Sequence, residues 1–240
     1  MTRPEPPIET DDAPAKPAQF PGDAWELLSP LLTPTRRARL AAVAAARTRH
    51  VRLVVQDIHQ PHNVSACLRS ADAFGVQEVD VVTLRERFKA STVAKGVSHW
   101  LTVNRHHDVA ACAAALRQGG YRIYAGVPLP GAKPLGELPV DRRIAVVFGN
   151  EHDGIDPAWH QHIDQPFTIP MAGMVESLNI SVCAAITLQS LTERARAAVP
   201  AADFLLPEAE RRQVLNAWVC RQFNSWPELL QRLRAEREKG

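Results

Sequence analysis

The sequence predicts a parallel α/β sheet flanked by helices, with further helices appended at both ends. Two observations carry this. From residue 51 onward, strand-like apolar runs alternate with helical runs, the rhythm of a parallel sheet covered on both faces. Composition also changes at both flanks, to a basic Ala-rich stretch before residue 51 and to charged amphipathic stretches after Pro200. Four segments result. They are an acidic Pro-rich tail over 1–24, a basic helix within 25–50, an α/β domain over 51–198 and a helical extension over 199–240.

The elements follow in order. Residues 1–24 are rich in Pro and acid, and hold too few apolar side chains to repay the entropy of ordering, so disorder is expected. Leu27–Leu32 is a short apolar patch. Thr33-Pro34 has the chemistry of a helix start, Thr as N-cap and Pro in the first turn. The helix expected there, "RRARLAAVAAARTRHVR", carries Arg36, Arg37, Arg39, Arg47, Arg49 and Arg52, with no acid before Asp57. "VRLVVQDI" reads as a strand, "NVSACLRSADAFG" as a helix ended by Gly75, and "VDVVTL" as a second strand. "HDVAACAAALRQGG" is a helix running into a glycine stop. "YRIYAGVP" and "RRIAVVFGN" are strands, "DPAWHQHI" a short helix and "PFTIPM" a strand. "ESLNISVCAAITLQSL" is a helix, apolar on two faces and so expected to be buried on both. "LPEAERRQVLNAWVCRQF" and "WPELLQRLRAEREKG" are amphipathic C-terminal helices.

Several classes are excluded. No apolar run reaches the roughly 18 residues of a membrane-spanning helix, and the N-terminus lacks the apolar core of a signal peptide. Cys67, Cys112, Cys183 and Cys220 are widely spaced, as reduced thiols in a cytoplasmic protein would be. The paired histidines, His59 and His62, His106 and His107, His160 and His162, lack the partners of a zinc site, and no metal is expected. Neither GxGxxG nor GxxxxGK occurs, so any cofactor is held without the usual glycine fingerprints. GxSxG, the hydrolase elbow, is also missing. The net charge of +2 combines an acidic tail with a mildly basic remainder, which is compatible with a polyanionic partner.

Three polar clusters fall where strands end, the usual place for ligands in open α/β sheets. In "HQPHNVSACLRSAD", Asn63 begins a helix and Arg69 follows six positions later. The plain alternative is an N-cap and a surface arginine. In "VVFGNEHDGI", a strand runs into Gly149, Asn150 and Glu151. Glycine there permits close backbone approach, and the alternative is a solvated polar turn. In "IPMAGMVESLNISV", Ser177 could be an N-cap, which leaves Asn179 unexplained in so apolar a segment.

Together, "HNVSACLRSADAFGV", "FGNEHDGI" and "IPMAGMVESLNISVCAA" resemble the three signature motifs of the TrmH branch of the SPOUT RNA methyltransferases, over a shared core of residues 33–196. Each motif alone is weak, and the ordered set is specific. The resemblance implies a SPOUT-type α/β domain with a C-terminal trefoil knot, an S-adenosylmethionine pocket made by that knot, and a homodimer. It implies methylation of a ribose 2′-hydroxyl in tRNA, at the D-loop guanosine. The same chemistry on rRNA or at another tRNA position, or a silent RNA-binding protein, are the alternatives. By motif match, Asn63, Arg69, Glu151, Ser177 and Asn179 would be catalytic. Gly126, Gly149, Ile169, Met171 and Leu178 would contact the cofactor, while His62, Arg36, Arg37 and Arg39 would face RNA. Three features depart from the pattern: Gln60 in place of a basic residue, the weakly basic "LQSLTERAR", and the acidic tail. A guanidinium is effectively never deprotonated, so Arg69 is expected to stabilise a developing alkoxide and not to act as a base.

Overall fold

A computed structural model describes residues 19–58, 60–84, 96–150 and 153–239. In chain order the elements are α1 (Ala24–Leu28), α2 (Pro34–Ala45), β1 (Val51–Gln56), α3 (Pro61–Ala73), β2 (Glu78–Val82), β3 (Thr102–His106) and α4 (Val109–Gln118). Then come β4 (Arg122–Gly126), β5 (Lys133–Pro134), β6 (Ile144–Phe148), β7 (Gln165–Thr168), α5 (Ile180–Ala198), α6 (Ala201–Phe204), α7 (Glu208–Cys220) and α8 (Trp226–Arg237). The seven strands form one sheet in the order β3-β2-β1-β6-β4-β7-β5, and every pairing is parallel.

Alternation along the strands divides the core. Leu53, Val55, Ile144, Val146 and Phe148 point to one face, where α3 and α5 cover them with Leu68, Ala71, Ala184 and Leu188. Val54, Ala145 and Val147 point to the other, beneath α4 and Trp159. Such burial on both faces is why the central strands read as nearly continuous apolar runs.

Helix boundaries follow local chemistry. Thr33 caps α2 by accepting from the Arg36 amide at 3.2 Å, as the sequence suggests. Gly75 after α3 and Gly120 after α4 have positive φ, 79° and 75°, which closes both helices cheaply. Three expectations change. The basic helix stops at Ala45, so Arg47, Arg49 and Arg52 lie beyond it. "DPAWHQHI" yields only a 3-10 turn at Pro157–Trp159. β3 and the two-residue β5 are additions to the expected strands; they lie at the two sheet edges, and β3 has one buried residue, Val103.

The N- and C-terminal helices form one unit beside the sheet. Ala24, Leu28, Val219, Cys220 and Leu230 share a core that also receives Phe20, so packed chain begins ahead of the boundary expected at residue 25. Residues 1–18, where most of the expected tail lies, are outside the described residues. Asn216 joins the two ends. Its Oδ1 accepts from the Trp25 amide at 2.7 Å, and its Nδ2 donates to the Gly22 carbonyl at 3.1 Å. Arg47, 1 % exposed, pairs with Asp72, donates to the Asp72 and Val76 carbonyls, and lies 5.1 Å from the Trp218 ring centre.

Replacing Asn216 with Ala leaves a part-buried amide and a carbonyl without their partner. A loss of about 1–3 kcal/mol in urea unfolding is expected, with faster proteolysis near residue 22.

Candidate active site

The site lies at the C-terminal ends of β1, β4, β6 and β7, where three motif-bearing segments meet. Asp57 follows β1, and its φ of 45° turns the chain out of the sheet while its Oδ1 accepts from the Leu84 amide at 2.8 Å. α3 then begins with Pro61 at its first position and Gln60 as the residue before it. Asn63 is therefore inside the first turn and 4 % exposed, not the N-cap the sequence suggests.

The N-cap surprise lies in the third motif. Asn179, not Ser177, caps α5. Its Oδ1 accepts from the Ser181 amide at 2.8 Å and from the Ser181 hydroxyl at 2.6 Å. Its Nδ2 donates to Asn63 Oδ1 at 3.2 Å. The two asparagines, 116 positions apart, thus join the first and third motifs directly. Ser177 is exposed in the preceding loop.

A cavity of about 500 Å³ opens beside this pair. Its wall holds Gly126, Ile169, Met171, Ser177, Leu178 and Asn179, all singled out from the sequence. It also holds Phe148, Asn150, Phe167, Thr168, Glu176 and Cys183. The two phenylalanines meet edge to face, with ring centres 6.2 Å apart. The sequence shows them only as strand residues, yet the last side chain of a strand can serve the core and the pocket together. A Cβ on Gly126 would stand 2.7 Å from the Phe148 ring. Burial pushes the Cys183 thiol up, and its nearest acceptor is the Leu178 carbonyl at 3.7 Å.

Gly149 is outside the cavity wall but shapes its rim. A Cβ there would stand 1.8 Å from the Gly154 carbonyl oxygen, because the loop folds back on itself. The Asn150 amide donates to the Gly154 carbonyl at 2.9 Å, the Gly154 amide returns the bond at 3.2 Å, and Asn150 Oδ1 accepts from the Asp153 amide at 2.6 Å. Glu151, expected to be catalytic, lies outside the described residues, as does His59. Gln56, which sequence reasoning does not single out, ties this loop to β1. Its buried Oε1 accepts from the Asp156 amide and the Trp159 indole, both at 2.9 Å.

Arg69 is not drawn into the cavity. It is exposed, and among the described residues no acid pairs with it. His62, Ala66, Arg69 and Ala73 follow helical spacing along one face of α3, while Asn63 points inward. Arg36, Arg37 and Arg39 are exposed on α2, away from the cavity. Arg36 donates to Gln222 Oε1 at 3.0 and 2.8 Å and lies 5.4 Å from the Trp100 ring centre.

One potential donor set is closed by charge. Asp80, His106 and Cys112 offer atoms within 4.8 Å of one another. However, Arg52 already pairs with Asp80 and Glu78, and burial pushes the Cys112 thiol up. A fixed cation beside the carboxylate and a protonated thiol suit a structural network better than a metal ion.

The chain matches the SpoU rRNA Methylase family over residues 50–189. It is 34 % identical to the tRNA (guanosine(18)-2′-O)-methyltransferase of Escherichia coli K12 over 187 residues, covering 77 % of this chain and 82 % of that protein. The fold matches the crystal structure of the A. aeolicus TrmH/SpoU tRNA modifying enzyme with a TM-score of 0.70 at 24 % identity, covering 78 % of this chain and 96 % of that one. It also matches the SpoU methyltransferase AviRb of Streptomyces viridochromogenes in complex with the cofactor AdoMet. There the TM-score is 0.56 at 22 % identity, covering 64 % and 60 % of the two chains.

Asn179 separates two structural duties. Asn179→Asp keeps an acceptor for the cap but loses the donor to Asn63. Asn179→Ala loses both. Urea unfolding is expected to show the Ala variant less stable than the Asp variant by about 1 kcal/mol, the worth of a cap.

Proposed function

Because this chain belongs to the SpoU rRNA Methylase family, we propose that it transfers the methyl group of S-adenosylmethionine to a ribose 2′-hydroxyl of tRNA, at the D-loop guanosine. The observation that carries the reading is the Asn179–Asn63 hydrogen bond at the mouth of the 500 Å³ cavity, since it joins the two motifs that must meet. The named activity of the E. coli relative, which this chain covers for 82 % of its length, supports tRNA over rRNA.

The cavity fits the cofactor. Its apolar wall, from Phe148, Phe167, Ile169 and Leu178, suits an adenine ring and the methylene chain of a methionine moiety. Gly126 lets the Phe148 and Phe167 rings that form this wall close on the end of β4, where any side chain would collide with them. Gly149 supports the rim, while Met171 and Leu178 come from the loop ahead of α5. When bound, the cofactor supplies an activated methyl on a sulfonium.

The chain's own groups then align the acceptor and manage its charge. Asn63 and Asn179 fix each other at the cavity mouth, with Ser177 beside them. Arg69, permanently charged and exposed beside His62 on α3, stabilises the developing alkoxide, so the acceptor RNA crosses that outer face. Glu151 is assigned to the same catalytic group by its motif. Arg36, Arg37 and Arg39 offer phosphate contacts from α2. The reading places the work in the cytoplasm; among the described residues no helix is long and apolar enough to cross a membrane.

A homodimer and a trefoil knot complete the proposal. Val182 and Ile186 stand on the outer face of α5, 43 % and 38 % exposed, below a loop with Met174 fully exposed. A second copy would cover that apolar stripe. After β7, near one sheet edge, the chain returns to pack α5 against α3 and β1, the kind of passage a knot requires.

Arg69→Ala should lower methyl transfer to tRNA by at least ~10²–10³-fold, the usual loss for one preorganised donor. Calorimetry should find S-adenosylmethionine binding intact. Near-normal turnover would remove Arg69 from the mechanism, and labelled product on rRNA but not tRNA would move the substrate. Ile186→Glu should shift the molecular mass by light scattering from dimer to monomer.

A further inference from the structure

Glu176 stands in the third motif, one residue ahead of Ser177, on the wall of the 500 Å³ cavity. Among the described residues it is the one side chain of that wall with a formal charge; the other polar ones, Asn150, Thr168, Ser177 and Asn179, are neutral. Cys183 stays a thiol there, because burial pushes its pKa up. Arg69 is exposed on α3 and outside the wall. No hydrogen bond or ion pair holds the Glu176 carboxylate among the described residues. The plain alternative is an acid placed ahead of α5 for its helix dipole. However, Asn179 already serves the first turn as its acceptor, and the dipole effect fades within one turn, whereas Glu176 precedes the cap by three residues.

Methyl transfer changes the charge of what occupies such a cavity. The S–CH3 bond breaks with its electron pair left on sulfur, the O–CH3 bond forms, and the hydroxyl proton is released. S-adenosylmethionine carries one net positive charge at neutral pH, and the S-adenosylhomocysteine left behind carries none. Shape separates the two poorly, since they differ by one methyl group. Charge can do so wherever the ligand's sulfur sits. A cavity of about 500 Å³ is roughly 8 Å across, close to one Debye length at physiological salt, so a charge inside it still feels the wall. The apolar surroundings strengthen that attraction. We propose that Glu176 is the charge-selecting residue of the cofactor cavity, which favours the cationic donor over its neutral product and so speeds the exchange of one for the other. The proposal rests on S-adenosylmethionine being the methyl donor.

The test uses the full chain, with Glu176→Gln, which keeps the shape and removes the charge, and Glu176→Asp, which keeps the charge. Calorimetry at low and high salt measures three ligands: S-adenosylmethionine, S-adenosylhomocysteine, and sinefungin, which carries an ammonium-bearing carbon in place of the sulfonium. Glu176→Gln should weaken the two cationic ligands about three- to fivefold, the scale of an ion pair with one exposed partner, and the neutral product by less than about twofold. High salt should shrink the wild-type preference for the cationic ligands toward that of the variant. Glu176→Asp should keep the wild-type preference. Equal weakening of all three ligands, with a lowered urea midpoint, would assign Glu176 to the terminus of α5 and overturn the proposal. Unchanged affinity of Glu176→Gln for S-adenosylmethionine would overturn it too, while leaving the enzymatic reading intact. Wild type that binds neither the donor nor its product would sink both.

Discussion

One side-chain amide faces two ways, and the site depends on it. Asn179 offers its oxygen to the first turn of α5 and its nitrogen to Asn63 on α3. A carboxylate could supply only the first bond and a hydroxyl only a shorter reach, so the residue type follows from the double duty. The cap fixes where α5 begins, and therefore which side chains meet the sheet: Ala184, Leu188 and Leu191 face inward. The bond to Asn63 ties that register to α3. The cavity between β4, β6, β7 and the loop ahead of α5 then has walls set by packed elements on three sides. Gly149 and Gln56 do the same for the fourth. One lets the 150–154 loop close on itself, and the other anchors the following turn to the end of β1.

Much of this is legible in the sequence because its causes are local. Central strands buried on two faces must be apolar throughout, and β1 and β6 read that way. Thr33-Pro34, Gly75 and the Gly119-Gly120 pair mark helix ends through chemistry that acts within a few residues. β3 escapes a sequence reading for the opposite reason. At the sheet edge only Val103 is buried, and "TVNRH" carries no apolar alternation to detect. The capping role of Asn179 escapes it too, because Ser177 is an equally good cap by type. Choosing between them requires knowing where the chain meets Asn63, 116 residues distant.

The arginines show the same limit in charge. A run of arginines without an acid in sequence suggests a solvated or RNA-facing surface. Arg47 and Arg52 escape that reading, since their acids, Asp72 and Asp80, arrive from 25 and 28 residues downstream. Inside the protein these pairs cost desolvation and are held by hydrogen bonds; they fix how the appended helices and the first three strands sit together. Arg36, Arg37 and Arg39 keep their exposure. Spacing along α2 cannot separate the two groups, whereas the end of the helix at Ala45 does.

The helical extensions take on a role beyond stability from this arrangement. Arg47 stacks on Trp218 of α7 and pairs with Asp72 of α3, so it links the extension to the helix that carries Asn63 and Arg69. Trp218 in turn meets Trp100 edge to face, with ring centres 5.5 Å apart, and Arg36 covers Trp100. An alternating stack of guanidiniums and indoles is rigid, because each ring is held by both the area it buries and the cation above it. Rigidity there has a consequence at the opposite end. α3 and α5 run from the cavity to this stack, so the separation between them is set by two packed helices and not by a loop.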